Sequence, residues 1–232
     1  AAVVISGGAI TTTGDLNIGN AITLGASTTL TSGNTLTLGA ALTGGGYSLT
    51  VTNNAIINAA LSGLSSLSIG GTTTLGGNIT TTGAQTYTGA VTLASADRTL
   101  TSSSNGAISL GATNGAYGLT ISNGSGSITL AAIGASTPLT TLTLQGTGLN
   151  TLGGDINTSG AVDLKGTTRK NTFAANRIIT TTNSSGNGNI TLGTTNSAYS
   201  LTLNAGSGSV SLGALGTTAD SQTGVPLASV TI

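Results

Sequence analysis

Four of the five cations in this chain stand close together in KGTTRKNTFAANR, at 165–177: Lys165, Arg169, Lys170 and Arg177. The same stretch holds the only Phe, Phe173, and follows two carboxylates, Asp155 and Asp163. Cations beside an aromatic ring suit the capture of an acidic glycan or a neighbouring filament. They suit equally a solvated insertion that keeps a larger body soluble. Carboxylates next to a basic residue are also the materials of a polysaccharide lyase, which often adds calcium and needs a proton acceptor. That reading is poorly equipped here, because every carboxylate is an Asp and the chain has neither Glu nor His. Ser nucleophiles have no His partner, and neither a GxSxG elbow nor a phosphate-binding loop occurs. The candidate contact set is therefore Lys165, Arg169, Lys170, Phe173 and Arg177. No catalytic residue, metal ligand or cofactor site is assigned, and the chain reads as a non-enzyme.

Composition narrows the partners. Charged residues are 4% of the 232 and the net charge is zero, against about 25% in an ordinary domain. With so little charge and five aromatic residues, the chain lacks the basic surface and stacking platforms that nucleic-acid binding uses. The longest aliphatic run, AAVVI at 1–5, is far short of the ~20 residues a membrane-spanning helix needs. Membrane insertion is not expected. Gly, Ser and Thr dominate, as in flexible linkers. Yet Leu, Ile, Val and Phe number 54, and low charge with many aliphatics favours a packed chain over a disordered one.

The elements that position these residues are repetitive. Asn105–Gly134 and Asn187–Gly216 align without a gap and share 18 of 30 residues. A weaker copy at 35–51 aligns with 107–121 and puts Tyr47, Tyr117 and Tyr199 in one equivalent place. GGAITTTG at 7–14, GGNITTTG at 76–83 and GGDINTSG at 153–160 match, as do ADR at 96–98 and ANR at 175–177. LSSLSI at 64–69, LTTLTL at 139–144 and LASVTI at 227–232 close each unit. The chain is thus three internal repeats, about 7–75, 76–152 and 153–232, and repeats of fixed period stack on one another.

Within each unit a finer rhythm runs: AITL, TLTL, SLSI, GAVTL, AISL, SITL and SVSL alternate apolar with Thr or Ser. That is the pattern of half-buried strands. Asn-Gly pairs at 105–106, 114–115, 123–124 and 187–188 mark tight turns between them. A sandwich and a solenoid both fit short strands. About 75 residues with so few aromatics would make a poor separate core, and mid-sized aliphatics suit a narrow coil. The expected fold is all-β: a single parallel β-solenoid (β-helix) over 1–232, of about ten coils, roughly 50 Å long at ~4.8 Å per coil.

The segment 76–112, with NITTTGAQTY, GAVTL, ADRTLTS and NGAISLGA, followed by AYGLTI, resembles repeats of filamentous-haemagglutinin-like adhesins and related β-strand-repeat bacterial exoproteins. The resemblance implies an extracellular β-helix on the bacterial outer surface, serving as stalk, adhesin or filament, with no catalytic residues. The absence of Met and of a leader predicts a processed chain or a fragment. VVI at 3–5 resembles SVTI at 229–232, so the chain is expected to start and stop in nearly the same phase of the repeat. With neither end capped, stacking is expected, head-to-tail or lateral, on further copies or on flanking repeats. Surface glycans are the alternative partner, through 165–177. Thr runs at 11–13, 72–74, 80–82 and 180–182 raise a remote ice-binding alternative, weakened because they follow the long unit and not each coil. The equivalent tyrosines suit turn packing or, as a second use, stacking on sugars.

Overall fold

The computed structural model describes residues 3–181, 188–216 and 226–232. Asn187 of the last Asn-Gly pair, Thr182 of the last Thr run and Asp220 lie outside the described residues. Among the described residues there are 31 short strands and no helix. Every strand pair is parallel: Val3 pairs with Ile22, and Ile22 with Leu42, so a coil takes about twenty residues. The chain winds as a β-solenoid with three faces. The first is an unbroken sheet of eleven strands, from Val3–Ile5 to Val210–Leu212. The second has ten, from Ala9–Thr11 to Thr194–Thr195. The third has six, from Leu16–Ile18 to Thr113–Asn114, then four, from Ile156–Asn157 to Ser229–Thr231. Single bridges from Ile133 to Thr113 and to Ile156 join the two parts. Eleven strands on the first face and ten on each of the others give about ten coils, as expected.

Period-two alternation decides which side chain goes inside. In Ile22–Leu24 the two aliphatics are buried and Thr23 is exposed. Stacked coils then build columns of like residues. One inner column runs Ile22, Leu42, Leu61, Ile79, Leu100, Ile121, Leu144. Another runs Leu30, Val51, Ile69, Tyr87, Leu110, Leu130, Leu152, Phe173. Outside, the second face carries Thr29, Thr50, Ser68, Thr86, Ser109, Thr129, Thr151 and Thr172 in one line. Outward hydroxyls thus recur on each coil, whereas the Thr runs do not form a flat outer array. Their middle members Thr73 and Thr81 point inward and are buried. Corners are tight: a Cβ on Gly148 would lie 1.9 Å from the Gly126 carbonyl oxygen one coil below, so only glycine fits.

The sequence repeat and the coil are out of step. GGAITTTG supplies Ala9–Thr11 on the second face, GGNITTTG supplies Ile79–Thr81 on the first, and GGDINTSG supplies Ile156–Asn157 on the third. The closing motifs follow the same order: Leu67–Ile69, Leu142–Gln145 and Ser229–Thr231. From the second strand to the thirteenth is eleven steps, and from the thirteenth to the twenty-third is ten plus the bridge at Ile133. Each unit therefore advances three turns and two thirds, and equivalent residues fall back one face per unit. Eleven steps back from Leu67–Ile69, the eleventh strand, falls one place before Val3–Ile5. VVI and SVTI therefore match in letters and stand one strand apart in an eleven-strand unit, nearly the same phase.

Candidate functional site

The segment 165–177 is not a surface loop. It is a corner, the strand Lys170–Phe173, a second corner and the first residue of the strand Arg177–Thr180. Aligned on ADR and ANR, its turn at 165–169 is two residues longer than TGA at 88–90. Arg169 is fully buried. Its Nε donates to Asn150 Oδ1 at 2.6 Å, Nη1 to Asn123 Oδ1, Gly124 O and Gln145 O, and Nη2 to Gly126 O at 3.0 Å. All five acceptors are neutral amide oxygens. Burial pushes the guanidinium down to about 10, because the charged form loses water without gaining a carboxylate.

Arg169 sits in a polar seam inside the corner between the first and second faces. Asn150 Nδ2 donates to Asn171 Oδ1 at 2.8 Å, and Asn171 Nδ2 to Thr195 Oγ1 at 3.3 Å. Earlier in the same corner Tyr87 donates to Gln85 Oε1 at 3.0 Å, and Gln85 Nε2 to Thr101 O at 2.8 Å. Burial pushes the Tyr87 phenol above its ordinary value. Phe173 closes an aliphatic column and is buried. Arg177 is half-buried, with Nε on Leu152 O and Nη2 on Gly153 O. Of the five candidate residues, two are therefore internal and one is tied to corner carbonyls. Lys165 is exposed and Lys170 half-buried. Lys170 borders a shallow concavity of about 390 Å³ with Ser125, Ser127, Thr147, Gly148 and Leu149.

The carboxylates weighed for lyase chemistry are used by the backbone. Asp155 Oδ1 accepts from Ile178 N–H at 3.0 Å, and Asp163 Oδ1 from Lys165 N–H at 2.9 Å. Asp155 stands where the chain enters the third face and Asp163 on the first, so they do not converge. No group of three potential metal ligands occurs among the described residues. Asp15 and Asp97 accept from Thr35 and Gly118 one coil on. Asn54, Asn78, Asn105, Asn176 and Asn189 do the same for Thr72, Thr99, Ser125, Ser200 and Ser209. Sequence reasoning missed this set. Its signal was an Asn or Asp immediately before a period-two segment, as in GGN78I, GGD155I, AD97R and AN176R.

The three tyrosines occupy equivalent geometry. Each carbonyl accepts from the next coil, from Ser65 (2.9 Å), Thr140 (3.1 Å) and Ala228 (3.2 Å) respectively. The N–H of the residue after each tyrosine donates to the coil before, to Ser27 Oγ, Asp97 Oδ1 and Asn176 Oδ1. Tyr47 lies between the first and second faces, Tyr117 between the third and first, and Tyr199 between the second and third. Tyr47 is 39% and Tyr199 42% exposed, while Tyr117 is half-buried against the core. No family model matches the chain, and neither a curated protein nor a solved structure does.

Proposed function

We propose that this chain is a structural module of a secreted bacterial surface fibre or adhesin stalk, stacking on further repeats of its own polypeptide or on further copies. One observation carries the reading: polar side chains at the corners are spent on joining one coil to the next. Asp15, Asp97, Asp155 and five asparagines each accept a backbone N–H about twenty residues on. Added to the parallel ladders, these bonds stiffen the long axis. A rod whose polar groups serve its own length suits holding something at a distance. The resemblance of 76–112 to filamentous-haemagglutinin-like repeats supports a bacterial outer-surface setting. Immunogold labelling of intact source cells tests it: label along surface fibres supports the proposal, and label seen only after permeabilisation sinks it. In the second reading, a surface-glycan site in 165–177, exposed Lys165 and the concavity that Lys170 borders meet the glycan. Charge reversal of both lysines tests that reading.

A further inference from the structure

The chain has five aromatic residues. Tyr87 and Phe173 fill inner columns and are buried. The other three stand at corners, and Tyr47 and Tyr199 leave about two fifths of their surface in water. Turn packing explains these bonds but not the open rings, since at the tyrosine and the residue after it they use only main-chain atoms, which any residue supplies. An exposed ring in a chain this poor in aromatics forgoes burial that the columns offer elsewhere.

The surroundings narrow what such a ring meets. From residue 16 to residue 96 the chain has no charged side chain. Tyr47 therefore has none on its own coil, on the coil below or on the coil above. Its ring lies against Gly45: a Cβ built there would be 3.5 Å from Tyr47 Cδ2 and 3.6 Å from Cε2. Gly44, Gly45, Gly46 and Ser48 flank it, so its neighbours along the chain are small. A flat apolar ring among hydroxyls, without charge, matches a partner that has C–H faces and hydroxyl edges. That is a neutral sugar ring. At Tyr47 an acidic polymer has nothing to pair with. Tyr199 keeps the open ring and the corner bonds but has Lys170 and Arg177 on the coil below, Arg177 with Nε and Nη2 on the carbonyls of Leu152 and Gly153.

We propose that Tyr47 and Tyr199 are two stacking sites for a neutral polysaccharide. Because each unit falls back one face, they open on different corners. They stand seven coils apart, roughly 35 Å at ~4.8 Å per coil. One stiff saccharide strand along a single face cannot meet both, so the two sites take separate strands and the rod cross-links them. This inference is independent of the fibre reading, because it concerns the isolated chain in solution.

The test uses the full chain and a soluble mixed-linkage β-glucan. Binding is read by isothermal titration calorimetry, which needs no tyrosine as reporter, and cross-linking by light scattering. Wild type should bind and scatter. Tyr47→Ala and Tyr199→Ala should each still bind but lose the scattering, and the double variant should bind roughly tenfold or more weakly. Tyr47→Phe, which keeps the ring, should retain binding, and circular dichroism confirms that each variant is folded. Charge reversal at Lys165 and Lys170 should change nothing. Absence of glucan binding by wild type, or equal binding by the double variant, overturns the proposal. So does binding confined to an acidic polysaccharide and abolished by the charge reversal, which would instead favour 165–177.

Discussion

Inside the solenoid, the Arg169 guanidinium donates to Asn150 Oδ1 across 2.6 Å, and Asn150 in turn donates to Asn171 one coil further on. A cation is thus held in a narrow core by neutral oxygens from the two preceding coils. Arg169→Ala removes the donor and leaves Gln145 O, Gly126 O and two Asn side chains without their partner. The expected loss is about 3–5 kcal/mol in urea unfolding. Arg169→Lys should recover little of it, because an ammonium has three donors and no planar fork. Lys165→Ala, at the surface of the same segment, should stay within about 0.5 kcal/mol.

Tyr87 gives the fold an alkaline limit. Its phenol titrates above the ordinary value of 10 because it is buried. The unfolded chain therefore loses this proton first. The contribution is fully present below pH 10 and falls as pH rises beyond it, by up to about 1.4 kcal/mol per unit. Arg169 acts oppositely: pushed down to about 10, it sheds its proton in the fold before the unfolded chain does, so its share moves in favour of the fold as pH climbs from 10. Tyr87→Phe separates the two. Unfolding free energies at pH 9 and pH 11 should drop less for Tyr87→Phe than for wild type.

Asp97 ties the Gly118 amide across coils at 2.7 Å. Asp97→Ala should cost about 1 kcal/mol and speed hydrogen exchange at Gly118. Asp97→Asn should be nearly neutral, since Asn176 does the same work for Ser200.

Thr73 faces inward between Ala55 and Val91 in its column, and its buried hydroxyl has no hydrogen-bond partner. Thr73→Val keeps the shape and removes that group. It should raise stability by about 1 kcal/mol in the same unfolding measurement.

The fold was legible because nearly every strand writes its inner and outer sides in alternating letters, as Ile22-Thr23-Leu24 does. Corners were not. At a corner the alternation breaks, so parity does not tell whether Arg169 or Lys170 turns inward, and hydropathy alone sends both to water. The corner staples were hidden for a related reason: Asp97 and Asn176 look like turn formers, and only coil stacking brings Gly118 and Ser200, one coil on, against them. The three-sided placement of the tyrosines follows from dividing eleven strand segments by three faces, which strand pairing reveals and letter alignment does not.

The most direct test of the winding uses the absence of native cysteine. Thr86 pairs with Ser109 on the next coil, and Ser109 with Thr129 on the one after. Adjacent coils place Cα atoms about 4.8 Å apart, within disulfide range, whereas two coils exceed it. On mild oxidation the monomeric chain carrying Thr86→Cys and Ser109→Cys should close a disulfide readily, and the chain carrying Thr86→Cys and Thr129→Cys should not. Closure of the second pair as readily as the first, or of neither, would contradict the solenoid register on which the staples, the polar seam and the displaced tyrosines depend.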